Sequence, residues 1–405
     1  MAKGHIIVGL DIGTNMTKVL VAVKNPNKEE FEVLSLVQEP SLGVRKGVVF
    51  NTENVTEIYQ IALKKAEEES DRKIDSVYVN IGGAHIFSTF SHGLVSVSRA
   101  DRKIPEEDVD RVLQAAQTVS LPSNKKILKV LPKEFIVDGE RGLKDPVGME
   151  GVRLEADVLA VGVFIPYLNN LTHAISNAGV QINDVIPSPM ASARAVVKKR
   201  EKELGVMMIE IGAGTTGIAI YEEGDLIHTS VLPIGSANIT NDIAAGLKID
   251  VDLAEKIKIE FGNCLHRGPD KKEKIELEEE ESMTFSHKQV AEIVGSRVSE
   301  IFDEVNKELK KLQKPVQLPG GVVLTGGGAK LPRILELAKK ELKMYCRIGK
   351  PLGYSPEQDD TSLATVCGLV AEGFDAEKSG NYSFDLSFGK KVGSKIRNIL
   401  KSFIP

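Results

Sequence analysis

At 405 residues the chain exceeds what one small core needs and fits two or three domain-sized units. Its 42% hydrophobic and 27% charged content is that of an ordinary soluble globular protein and excludes a disordered chain, and a net charge of -5 argues against a general nucleic-acid binder. Cys264, Cys346 and Cys367 have neither an even count nor a metal-ligand spacing, so reduced side chains in a cytosolic protein are expected.

The first apolar run is broken by Asp11 too early for a signal-peptide core, so the chain is expected to start as a strand. No apolar run reaches the roughly 20 residues of a membrane-spanning helix, which leaves only peripheral attachment. From His5 to Gln38 three β-rich runs separated by polar turns predict a meander. A helix follows over 52–69, and SVYVNIGG then predicts a buried strand. Between 84 and 164 long alternating strands surround a helix over 105–119, which predicts an inserted α+β unit.

The pattern then restarts, with a helix after Pro166, a strand through Val185, a helix after Pro189 and the strand pair VMMIEIGAG and TTGIAIYE. At a constant offset of 199, Asp11 aligns with Glu210, Gly13 with Gly212, Thr17 with Thr216 and Val19 with Ile218. An internal duplication into two similar lobes with a cleft between them is the simplest account. A long helix is expected over 286–312, preceded by an acidic run over 276–281 that suits an exposed loop.

Both halves of the duplication carry an acid just before a Gly-centred hairpin turn, a pattern suited to a nucleotide polyphosphate. Backbone N–H groups of such turns form a nest for anionic oxygens. The first turn offers Asp11 as a carboxylate for Mg2+, with Gly13, Thr14, Asn15 and Lys18 as donors and positive charge. The second offers Glu210, Gly212, Ala213, Gly214, Thr215 and Thr216, without the Lys. A third cluster, Gly326, Gly327 and Gly328, stands between a strand and a helix, where backbone would contact a nucleoside or phosphate and Lys330 would lay its stem on the base. No Walker A motif occurs, and no G-x-G-x-x-G opens a helix in a βαβ context.

DIGTNMTK, IEIGAGTTG and LTGGGAKLP, in this order, resemble the two phosphate turns and the adenosine turn of the actin, Hsp70 and sugar-kinase superfamily. Within it the chain resembles the FtsA family of bacterial cell-division proteins over nearly its whole length. The inserted unit, the segment KDPVGMEGVR before RLEADVLAVGV, and the terminus select that family. The resemblance implies an α/β, two-lobed actin/Hsp70-like (ribonuclease H-like, duplicated) fold, with an inserted α+β subdomain and a C-terminal amphipathic helix. Expected boundaries are 1–83 with 165–186 for the first lobe, 84–164 for the insertion and 187–226 with 319–374 for the second-lobe core. Residues 227–318 would form the second lobe's subdomain, 375–389 a linker and 390–405 a membrane-targeting helix.

The resemblance further implies ATP with Mg2+, bound by Asp11 and Glu210 and closed over by a Glu-x-x-Lys pair, here Glu255 and Lys258. Hsp70-like and MreB-like relatives carry a water-positioning Glu before a Pro where this chain has Ser188 before Pro189, which implies slow hydrolysis. Implied partners are the FtsZ C-terminal peptide, with Arg297 as a basic contact, further copies of the chain in a filament, and other division proteins at the insertion. The expected location is the cytoplasmic face of the inner membrane at the septum. The terminal segment supports that directly: Val392, Ile396, Ile399, Leu400 and Phe403 fall at helical spacing among cations such as Lys395, a pattern for anionic lipid. The alternatives are a PilM-like pilus-assembly homologue, a sugar or carboxylate kinase on the same fold, for which no catalytic Asp motif is found, and an Hsp70-type chaperone, for which no peptide-binding domain follows.

Overall fold

The computed structural model describes residues 5–24, 31–117, 121–276, 282–312, 316–355 and 358–378. The chain opens with β1 (Ile6–Ile12), β2 (Met16–Lys24), β3 (Phe31–Pro40), the two-residue strands β4 (Val44–Arg45) and β5 (Val48–Val49), α1 (Thr52–Ser70) and β6 (Ser76–Ile81). Asn51 starts α1 by accepting a hydrogen bond from the Asn54 amide, and the helix buries Val55, Tyr59, Ala62, Leu63 and Ala66 at helical spacing. The inserted unit is β7 (Phe87–Ser96), α2 (Glu106–Gln117), β8 (Lys125–Val137), β9 (Glu140–Leu143) and β10 (Arg153–Phe164). It forms an antiparallel sheet in the order β7-β10-β8-β9, with its own core of Val109, Val112, Phe135, Leu154 and Val158.

Next come α3 (Ile165–Asn177), β11 (Gln181–Pro187), α4 (Ser188–Val196), α5 (Lys199–Leu204), β12 (Val206–Ile211), β13 (Thr216–Glu222) and β14 (Asp225–Leu232). The remainder is α6 (Ser236–Leu247), α7 (Val251–Phe261), β15 (Lys272–Glu276), β16 (Ser282–Ser286), α8 (His287–Lys310), β17 (Val322–Thr325), α9 (Ile334–Leu342), β18 (Cys346–Ile348) and α10 (Ala364–Lys378). Two five-stranded sheets result, ordered β11-β6-β1-β2-β3 and β14-β13-β12-β17-β18. In each, an antiparallel meander (β1-β2-β3 or β12-β13-β14) adds two parallel strands beside its first. The duplication predicted from the turns is therefore present in the topology.

The last helices of the two halves trade places. α4 leaves the first sheet and packs on β12, β13 and β14, whereas α10 leaves the second and packs on β1, β2 and β6. The two helices cross tightly: a Cβ on Gly368 would fall 1.8 Å from the Ala191 carbonyl oxygen, so only glycine fits. Arg194 and Asp375 join the pair by two hydrogen bonds of 2.9 and 2.6 Å. Strand alternation divides β12 between two cores, with Val206 and Met208 facing the crossed helices and Met207, Ile209 and Ile211 facing the α6–α9 side. Residues 375–378, expected in the linker, belong to α10, where Asp375 is held by Arg194, and 379–389 lie outside the described residues. The acidic run lies largely outside the described residues. Among the described residues no helix is long and apolar enough to cross a membrane, and the three cysteines are unpaired and buried.

Candidate functional site

The first turn joins β1 to β2, with Asp11 opposite Lys18 and Ile12 opposite Thr17. Asp11 is buried, its Oδ2 3.1 Å from Lys18 Nζ and its Oδ1 2.9 Å from Asn80 Nδ2. Asn80, at the end of β6, accepts the Ile12 amide at 2.7 Å and donates to Ser188 Oγ at 3.0 Å. One buried amide thus ties the turn, its acid and the N-terminus of α4. The Gly13 amide closes the hairpin on Met16 O, Asn15 has its carbonyl on the Ser41 amide and is exposed, and Thr14 Oγ1 accepts the Gly47 amide at 3.0 Å.

The second turn repeats this plan between β12 and β13, the Gly212 amide bonding Thr215 O at 2.8 Å. The first amides of α6, Ser236 and Ala237, bond the carbonyls of Gly212 and Ala213, and Thr216 Oγ1 donates to Ile234 O at 2.9 Å. Glu210 accepts from Thr365 of α10, and Thr365 Oγ1 lies 2.9 Å from Ser192 Oγ of α4. Burial pushes the Glu210 carboxyl up to about 7; Asp11's charge adds to this, and the Thr365 and Ser192 hydroxyls and the Lys18 ammonium oppose it. Asp11 and Lys18 of the first turn are thus near enough for their charges to act on the Glu210 carboxyl.

The tips of the two turns meet. A Cβ on Gly214 would fall 2.8 Å from Thr14 Oγ1 and 3.1 Å from Lys46 Cα. The third turn joins them from behind, because β17 runs parallel to β12 with Glu210 opposite Thr325. Gly326 and Gly328 press against Ile211, and Gly326, at φ 85°, exchanges hydrogen bonds with Thr361. Gly327 has open space where a side chain would stand, which leaves its backbone free to approach a ligand.

Glu255 and Lys258 are paired at 2.6 Å on α7, and both bond Thr240. Lys258 Nζ also reaches Ser236 O at 3.5 Å, which ties this pair to the second turn. Lys330 is held by Asp360 at 2.6 Å. Ser188 Oγ donates to Ile81 O at 3.1 Å, so the position before Pro189 carries a satisfied hydroxyl and no carboxylate. Arg297 is engaged elsewhere, forking onto Asp242 of α6 at 2.5 and 2.8 Å and reaching Glu300 at 2.5 Å. Val392, Lys395, Ile396, Ile399, Leu400 and Phe403 lie outside the described residues.

Asn80, Ser192 and Thr365 were not anticipated. Asn80 had a signal, a polar residue inside an apolar strand before Gly82 and Gly83. Thr365 and Ser192 had none, since their role depends on the exchange of α4 and α10.

The family model described as Cell division protein FtsA matches residues 207–368, and one described as SHS2 domain inserted in FTSA matches residues 83–162. Cell division protein FtsA of Pseudomonas aeruginosa is 36% identical over 384 residues, covering 93% of this chain and 91% of the relative. The chain belongs to the FtsA family of cell-division proteins. FtsA of Bacillus subtilis agrees, at 35% identity over 91% of this chain and 84% of its own length. Among solved structures, a PilM-PilN type IV pilus biogenesis complex chain aligns with TM-score 0.64 at 16% identity, over 91% of this chain and 98% of that one. MreB5 of Spiroplasma citri bound to ADP aligns with TM-score 0.57 at 14% identity, over 93% and 99%. Both show the actin-like fold and nothing finer.

Proposed function

We propose that this FtsA-family protein binds ATP with Mg2+ between its two lobes, hydrolyses it slowly, self-associates, and tethers FtsZ filaments to the cytoplasmic face of the membrane at the septum. The observation that carries the nucleotide part is the contact of Thr14 with Gly214, which brings two anion-binding turns together with an acid behind each. The donor set fits a metal-nucleotide: hard carboxylate oxygens from Asp11 and Glu210 for Mg2+, turn amides for phosphate, and the open backbone at Gly327 for the nucleoside end. Mg2+ would supply charge neutralisation there. Glu210, one methylene longer than its counterpart Asp11, would meet the metal directly or through water.

Slow hydrolysis follows from Ser188, a hydroxyl already bonded to Ile81 O that is a poor general base. ATP then serves mainly as a lobe-closing ligand that favours assembly. The proposed subdomain over 227–318 takes the FtsZ tail, although its first residues belong to β14 of the second sheet, and Arg297 contributes only if it leaves Asp242. The basic apolar segment after residue 390 supplies the lipid contact, and the inserted sheet a surface for other division proteins.

Titration calorimetry of the purified protein with ATP and Mg2+ tests the core of this reading. Micromolar or tighter affinity is expected. Absence of binding refutes it, and turnover on the order of 10 s⁻¹, typical of metabolic enzymes, refutes the slow-hydrolysis part.

A further inference from the structure

The short hairpin β4–β5 enters the cleft at the point where the two turns touch. Val44 pairs with Val49 and Arg45 with Val48, which leaves Lys46 and Gly47 as a two-residue loop. Both loop residues have positive φ, 47° and 73°, as in the type I′ turn that favours Asn-Gly. Lysine in that left-handed position costs on the order of 1 kcal/mol, and no local hydrogen bond of its side chain offsets it. The loop is nevertheless fixed from three sides. The Gly47 amide donates to Thr14 Oγ1 at 3.0 Å, a Cβ on Gly47 would meet the Gly82–Gly83 backbone, and Lys46 Cα lies against Gly214.

Charge accounting around the cleft singles out the same residue. Lys18 is paired with Asp11, Lys258 with Glu255 and Lys330 with Asp360. Lys46 is exposed and has no hydrogen bond or ion pair among the described residues. A triphosphate entering between the turns would meet Lys18, Lys258 and Lys330 already neutralised and Lys46 unpaired.

On the proposed reading of the cleft as a nucleotide site, we propose that Lys46 contacts the terminal phosphate of the bound triphosphate and thereby distinguishes it from the diphosphate. The nucleoside end belongs to the third turn on the second lobe. Lys46 comes from the first lobe, its Cα abuts the second phosphate turn and its neighbour Gly47 bonds the first, so the polyphosphate is what it meets. Its ammonium on a flexible four-carbon stem suits a point contact to phosphate oxygen.

Calorimetric titration of the full-length protein with ATP and with ADP, each with Mg2+, tests this. Lys46→Gln is expected to weaken ATP by about 10- to 100-fold and to leave ADP within about twofold. Lys46→Gly, which relaxes the left-handed position, should lose ATP affinity equally while its melting temperature without nucleotide is unchanged or higher. Lys46→Arg should keep the preference for ATP. Unchanged ATP affinity in Lys46→Gln, or equal losses for ATP and ADP, overturns the assignment. A wild-type protein that binds neither nucleotide overturns the underlying site reading, and this proposal with it.

Discussion

Thr14 Oγ1 lies 2.8 Å from the point where a Cβ on Gly214 would stand, which makes the contact between the two turns as tight as backbone and hydroxyl allow. Gly214→Ala should therefore displace Thr14 and the Lys46 backbone and separate the turns. Calorimetry should show ATP affinity reduced about tenfold or more, with the melting temperature only slightly lowered. Wild-type affinity in this variant would mean that ligand binding does not require the contact.

Gly368→Val tests the helix crossing. Its side chain would overlap the Ala191 carbonyl, which cannot move without unseating α4 from the second sheet. Denaturant unfolding should show a loss of roughly 3 kcal/mol or more, or no soluble protein. A loss under about 1 kcal/mol would show that the helices can slide apart at little cost.

Glu210 predicts a pH signature in the nucleotide-free protein. Burial lifts its carboxyl from 4.5 to about 7, so the folded state holds the proton more tightly than the unfolded state. That contribution is complete below about pH 4.5 and is lost as pH rises through about 7. Glu210→Gln, which mimics the protonated form, should raise the melting temperature at pH 8 and change it little at pH 5. The gain at pH 8 is at most on the order of 3 kcal/mol. A larger gain at pH 5 than at pH 8 would contradict the sign.

Arg297 is partly buried and forked onto Asp242, so it is not free to greet an acidic peptide. A double-mutant cycle on this pair should give a coupling of about 1 kcal/mol. Asp242→Asn should release the guanidinium and strengthen binding of an acidic FtsZ tail peptide in fluorescence anisotropy. Unchanged affinity would remove Arg297 from the contact surface.

Removal of residues 390–405 should abolish co-sedimentation with anionic liposomes, and salt should weaken it in the intact chain. Equal binding by the truncated protein would place the lipid contact elsewhere.

Much of this architecture was legible because it is periodic or repeated. The apolar strand before Asp11 recurs before Glu210, and the duplicated sheets follow from that repeat. The helices over 52–69 and 286–312 were visible as stripes, and α1 and α8 match them within two residues at each end. What stayed hidden depends on contacts between distant segments. The Thr365 hydroxyl on Glu210 spans 155 positions and exists only because α10 returns to the first sheet. Arg297 reads in the sequence as a basic contact for a partner, and nothing local pairs it with Asp242, 55 positions away. The β4–β5 hairpin is too short to leave a periodic trace.

The exchange of α4 and α10 also limits how this molecule can breathe. Each half is roofed by a helix the other half grew, so neither can swing away as a separate door without tearing its own ceiling. Opening has to proceed as a small roll about the Ala191–Gly368 crossing, where Ser192, Thr365 and Arg194 all sit within a few residues of the pivot. Because Glu210 is bonded to Thr365, three residues from Gly368, any change at that carboxylate is felt at the pivot itself.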